Sequence, residues 1–121
     1  MNIFQAFETT IPCAGAGQSG TGYYVEFANG ASREATPAEI LTATKVAAIA
    51  ANRAECSRRI FARYPAGRQL SALAGIYDAA NVRAMHDWIA SCIAAENTAA
   101  DLIEAAQSVA AVEAVTVAWP V

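Results

Sequence analysis

The spacing of apolar residues changes character near residue 36. Downstream of it they recur at steps of three and four, the signature of a helix that buries one face. Val46, Ile49, Cys56 and Ile60 keep that step after Pro37, with Arg53 as a single basic interruption. Val82, Met85, Ile89, Cys92, Ile93, Glu96, Ala99 and Ile103 keep it after Asn81. Thr36-Pro37-Ala38-Glu39 supplies an N-cap threonine, a proline at the first helical position and a glutamate placed to close a capping box. Nothing breaks this helix until Tyr64-Pro65, where proline disfavours helical geometry in its predecessor, so a helix of about 27 residues is expected. A short helix is expected over Ala66–Tyr77, with Gln69, Leu70, Leu73 and Ile76 on its face, and a second long one from an Asn81 cap to near Ala106.

Upstream the pattern is different. Residues 1–22 hold a short apolar start at Ile3, Phe4 and Phe7, then Ile11-Pro12 and the run Gly15 to Gly22. Glycine loses the most freedom on ordering, so this segment reads as an arm that is flexible or ordered by a partner. Tyr23 to Phe27 are strand formers, followed by Asn29-Gly30, a pair suited to a tight turn with positive φ at both central positions. The strand has two possible partners: Ala31–Ala35 across that turn, or Ala114–Trp119, where Val115, Val117 and Trp119 alternate with smaller residues. The expected fold is mainly α: an antiparallel long-helix hairpin with a short connecting helix and a small β element. Residues 23–121 form one helical domain behind the arm, in keeping with a length of 121 residues.

Composition refines this picture. Hydrophobic residues make up 55% and charged residues 16%, which excludes the highly charged class that stays unfolded. Much of the apolar fraction is alanine, so the core is expected to rest on a few large anchors: Ile40, Leu41, Val46, Ile49, Ile60, Phe61, Leu70, Leu73, Ile76, Met85, Trp88, Ile89, Ile93, Leu102 and Ile103. At about 1.5–3 kcal/mol for each fully buried side chain, they offset the ordering cost with little to spare. A net charge of −3 and a pI near 5.0 argue against nucleic acid as a partner. The one basic cluster, Arg53, Arg58, Arg59, Arg63 and Arg68, lies where the first long helix ends, where it complements the helix dipole or meets an acidic partner.

Three cysteines, Cys13, Cys56 and Cys92, lack a disulfide spacing and read as free thiols of a reducing compartment. Cys56 and Cys92 fall on apolar stripes, which points to packing. The N-terminus has no basic and apolar leader pattern, and Arg83, His86, Asp87, Glu96, Asp101 and Glu104 interrupt the most apolar helix, so neither secretion nor a membrane span is expected.

No constellation carries chemistry. His86-Asp87 is an isolated pair without a nucleophile in a motif or a second metal ligand at helical spacing. Gly15-Ala16-Gly17-Gln18-Ser19-Gly20 has the spacing of a dinucleotide loop but leads into a strand where such a loop meets a helix. The pairs Glu34 with Glu39 and Asp101 with Glu104 fit helix starts and solvated faces. No catalytic, cofactor-binding or metal-binding residue and no small-molecule substrate is therefore expected. Tyr23, Tyr24, Phe27 and Trp119, with Arg58, Arg59, Arg63 and Arg68, remain as interface candidates. The aromatics either anchor a partner or cover the open end of the helical hairpin.

The strand with its Asn-Gly turn, Thr-Pro-Ala-Glu, the helix ending Arg-Arg-Ile-Phe-Ala-Arg-Tyr-Pro and the closing Val-Thr-Val-Ala-Trp-Pro resemble, over roughly residues 23–120, small helical proteins encoded beside tail and tail-fibre genes of tailed bacteriophages and prophages. Arg58–Gln69 and Met85–Ile103 carry the resemblance, while Met1–Gly22 departs from it. It implies a non-enzymatic tail component or assembly factor that binds another virion protein or its own copies, in the virion tail or in the host cytoplasm during assembly. The alternative expectation is a small acidic regulator that presents Glu96, Asp101, Glu104 and Glu113 to a host complex.

Overall fold

The computed structural model describes residues 1–121. In chain order the elements are α1 (Ile3–Thr10), β1 (Gly15–Ser19), β2 (Gly22–Glu26), β3 (Ser32–Glu34), α2 (Pro37–Arg63), α3 (Ala66–Leu73), α4 (Ala79–Ala105) and α5 (Val109–Glu113). The molecule is 62% helical and carries one small three-stranded antiparallel sheet, ordered β1-β2-β3.

The Thr36 capping box forms as its residues dictate. Glu39 N–H donates to Thr36 Oγ1 at 3.2 Å, and Thr36 N–H donates to Glu39 Oε1 at 2.9 Å. Arg33 adds a two-pronged grip on the same carboxylate at 2.7 and 2.9 Å, tying β3 to the start of α2. Together these bonds hold the Glu39 carboxyl down at about 2, with the Arg33 hydrogen bond as the largest cause. The helix ends at Arg63, one residue before Tyr64-Pro65.

Residues 1–22 are not the irregular arm expected of them. Asn2 caps α1 and closes a capping box with Gln5. Phe7 then buries completely with Ala6, Ile11, Val25 and Ala43, in a cluster built from α1, β2 and the first half of α2. The glycine-rich run becomes β1, because the ring of Tyr24 on β2 lies directly across Gly17, its register partner. A Cβ at Gly17 would stand only 2.5 Å from the Tyr24 hydroxyl oxygen, so the absence of a side chain is what lets the ring cover the strand. Gly20, at φ +60, opens a two-residue turn to β2, and only Gly adopts this backbone conformation freely.

Of the two partners open to the Tyr23–Phe27 strand, β3 within Ala31–Ala35 is the one used, while the segment 114–119 forms no strand. The connecting turn differs from the tight Asn-Gly form. Phe27 and Ala31 flank a three-residue loop in which Gly30 alone has positive φ, and Asn29 uses its side chain to accept from Ala31 N–H.

Two further boundaries move. The short middle helix stops at Leu73, not Tyr77, because Gly75 at φ +81 permits a C-terminal motif: Gly75 N–H donates to Ala72 O and Ile76 N–H to Ser71 O. The second long helix begins at Ala79, because Asp78 is its cap and accepts from Asn81 N–H at 2.8 Å. The contacts of α2 with α4 include Lys45 Nζ donating to Glu104 O at 2.7 Å, an Arg53–Glu96 ion pair at 3.3 Å and the ring of Tyr64 against Trp88.

The large-residue core expected from the sequence is largely absent. Only 13 of 121 residues are buried, and of the fifteen anchors only Met85 and Ile103 are among them. Phe61, Leu70, Leu73, Ile76, Ile93 and Leu102 are exposed. Five alanines take interior positions in their place, with Cys56, Cys92 and Val112, and with Phe7, Ile11 and Val25 from the N-terminal segment. A second cluster, Ile103, Ala106 and Val112, seats α4 and α5 against Leu41, Ala48 and Ile49 of α2. No helix is long and apolar enough to cross a membrane.

Candidate functional site

The end of the molecule where α2, α3 and α4 meet carries the most chemically distinctive surface. Proline at position 65 ends α2, and the short α3 that follows presents one buried residue, Ala72, to its surroundings. Its larger apolar residues are left outward. Leu73 is 86% exposed, Ile76 71% and Leu70 66%. Between them and α4 lies an apolar groove of about 550 Å³, lined by Phe61, Leu70, Leu73, Val82, Met85 and Ile89 among others. Gln69 and His86 are the polar side chains at its wall.

Beside the groove the arginines expected at an interface are stacked on aromatic rings. The Arg59 guanidinium lies 5.0 Å from the Trp119 ring and that of Arg63 4.7 Å from Trp88, while Arg68 lies over both Tyr64 and Tyr77. Arg63 Nη1 and Trp88 Nε1 also donate to the Val121 carbonyl oxygen, at 3.1 and 3.3 Å. The last residues are thereby folded back against α2 and α4, and Trp119 is half-buried under Arg59.

The structure thus brings together Arg59, Arg63, Arg68 and Trp119. Arg58 turns instead to Glu55, donating at 2.6 and 2.7 Å, and this helps to hold the Glu55 carboxyl at about 2. Tyr23, Tyr24 and Phe27 sit apart, on the sheet. Tyr23 packs on Phe4 and Phe7, Tyr24 covers Gly17, and Phe27 carries Arg33 over its ring. These three side chains serve the fold of the N-terminal segment. The groove itself is not legible in the sequence, since apolar spacing places Phe61, Leu70 and Leu73 of its lining inside. For Leu70 and Leu73 the distinguishing signal is Gly75, whose positive φ ends α3 at Leu73.

The remaining candidates for chemistry are dispersed. His86 and Asp87 are exposed neighbours on α4. No group of three or more His, Cys, Asp or Glu is placed to hold a metal ion. Cys56 and Cys92 are buried free thiols, and burial pushes both upward in pKa, which keeps them protonated and unreactive near neutrality. The glycines at 15, 17 and 20 belong to β1 and its turn, with no helix N-terminus following them. Compared with protein-family models, curated proteins and solved structures, the chain matches none.

Proposed function

We propose that this chain is a non-enzymatic structural or interaction protein that works through the surface where α2, α3 and α4 converge. The single observation carrying this reading is the cluster of large aliphatic side chains left outside a small core of 13 buried residues. A contiguous apolar groove rimmed by polar groups is the surface type that proteins use to bind one another, and its exposure in water is unfavourable until it is covered. In this reading α2 and α4 act as a long antiparallel hairpin, supported by contacts that descend from Lys45–Glu104 through Arg53–Glu96 to Tyr64–Trp88. The hairpin is the rigid arm, and the groove at one end is its docking surface.

The layout of the sequence gives that activity a setting. Its resemblance to small proteins encoded beside tail genes supports a tail component or tail-fibre assembly factor of a tailed bacteriophage, met in the virion tail or in the host cytoplasm during assembly. The acidic-regulator alternative draws less support, because Glu96 is only 13% exposed and is already paired with Arg53. Co-expression with tail and tail-fibre proteins of a tailed bacteriophage tests the reading. Co-purification is expected with the wild-type chain and should drop at least tenfold with Leu70→Asp. Equal recovery of both, or none of either, overturns it.

A further inference from the structure

We propose that the partner seated in the α3–α4 groove is a second copy of this chain, related by a two-fold axis. The inference rests on reading the groove as a protein contact and names its occupant. A two-fold interface requires each surface to be complementary to itself, which here means a ridge and a groove side by side on one copy. Both are present. Leu73, 86% exposed, stands up at the hollow floored by Met85 and Ile89, and Ile76, 71% exposed, follows it in the chain. A ridge from one copy fills the hollow of the other, and the exchange is reciprocal.

The area suits a stable pair. Phe61, Leu70, Leu73, Ile76 and Tyr77 together expose on the order of 500 Å² of largely apolar side chain. Covered on both copies, that is roughly 1,000 Å², and the surrounding rim brings the contact into the range of about 1,200–2,000 Å² found for specific interfaces.

The charges at the rim favour a copy over a partner of one sign. Arg83 supplies a cation and Asp87 an anion, and neither makes an ion pair within the chain. Arg83 and Asp87 share a wall with Val82 and His86 at the edge of the groove. Turned on itself, such a rim offers opposite charges to each other, whereas a strongly acidic or basic partner would meet its own sign.

Sedimentation equilibrium of the full chain, reduced and at about 100 µM, far above a micromolar Kd, tests this. The expected result is a species of twice the 12.6 kDa chain mass that dissociates on dilution. Leu73→Asp, which sets two carboxylates in apolar surroundings across the axis, is expected to give a monomer with unchanged helical circular dichroism. Leu70→Lys repeats the test at a second groove position should the first variant misfold. Leu102→Asp, at an exposed site outside the groove, is expected to leave the pair intact. A wild-type monomer at 100 µM, a trimer or larger ring, or a pair indifferent to both groove variants overturns the proposal. If the wild type is monomeric yet binds a tail protein through Leu70, the second copy is excluded and the docking role survives. If neither association occurs, both fail.

Discussion

At the scale of single residues, the positions that matter most are those where one side chain decides what its neighbour can do. Gly17 is such a position: the Tyr24 ring occupies the space where any Cβ would be. Gly17→Ala is expected to push the ring off β1 and cost about 1–3 kcal/mol, read as a lower urea midpoint with an unchanged slope. Glu39 is another. Its carboxyl lies near 2 in the folded chain against an ordinary value of 4.5, so the folded state binds that proton less readily than the unfolded one. The stability this confers is complete above pH 4.5 and disappears as pH falls towards 2. Thermal midpoints recorded across that window should fall more steeply for the wild type than for Glu39→Gln, and parallel profiles would show that the Arg33 and Thr36 bonds contribute nothing. Only one of these two positions is conspicuous in the sequence for the right reason. Gly17 sits in a run that reads as linker, because the ring that makes it necessary comes from the next strand. Glu39, by contrast, is legible through its three-residue spacing from Thr36.

At the scale of elements, what was legible was what is local. The start of α2, its stop at proline and the period of α4 are written in consecutive residues, and the helices appear where those signals lie. Helix α1 and strand β1 were missed because neither has a strong local preference. Eight residues are marginal for a helix alone, and a glycine-rich strand forms only when β2 is there to pair with it. Burial failed for a related reason. Periodicity reports which residues share a helical face, but not whether another element reaches that face. Ile93 and Ile103 lie on the same predicted stripe, yet Ile93 is 44% exposed and Ile103 is 1% exposed, because α5 closes over only the latter. Ile103→Ala is therefore expected to cost about 2–5 kcal/mol. Ile93→Ala should stay within about 0.5 kcal/mol, as at ordinary surface sites. Paired urea titrations check this, and equal losses would mean that the face around Ile93 is covered in solution. The candidate site is half legible: the sequence points to Arg59, Arg63, Arg68 and Trp119, while apolar spacing places the lining of the groove they border inside the core.

At the scale of the whole molecule, apolar burial is distributed unevenly. Both clusters of buried side chains grip the first half of α2, one from α1 and the sheet and the other from α4 and α5, while no residue of α3 belongs to either. Local opening should follow that gradient. In hydrogen exchange, amides of β2 and of α2 around Ala43 are expected to be the slowest, and those of α3 the fastest among the helices longer than one turn. Protection of α3 at high protein concentration alone would report the groove being covered, so the same measurement bears on association. Helix α2 also fixes a distance. Its 27 residues span about 40 Å, several times the screening length of physiological salt. An object fastened at the sheet and another held at the far tip are kept a constant interval apart, electrically blind to each other. In the docking role proposed above such a chain would measure as well as join: lengthening or shortening that strut would change the spacing of whatever it connects without altering either point of attachment.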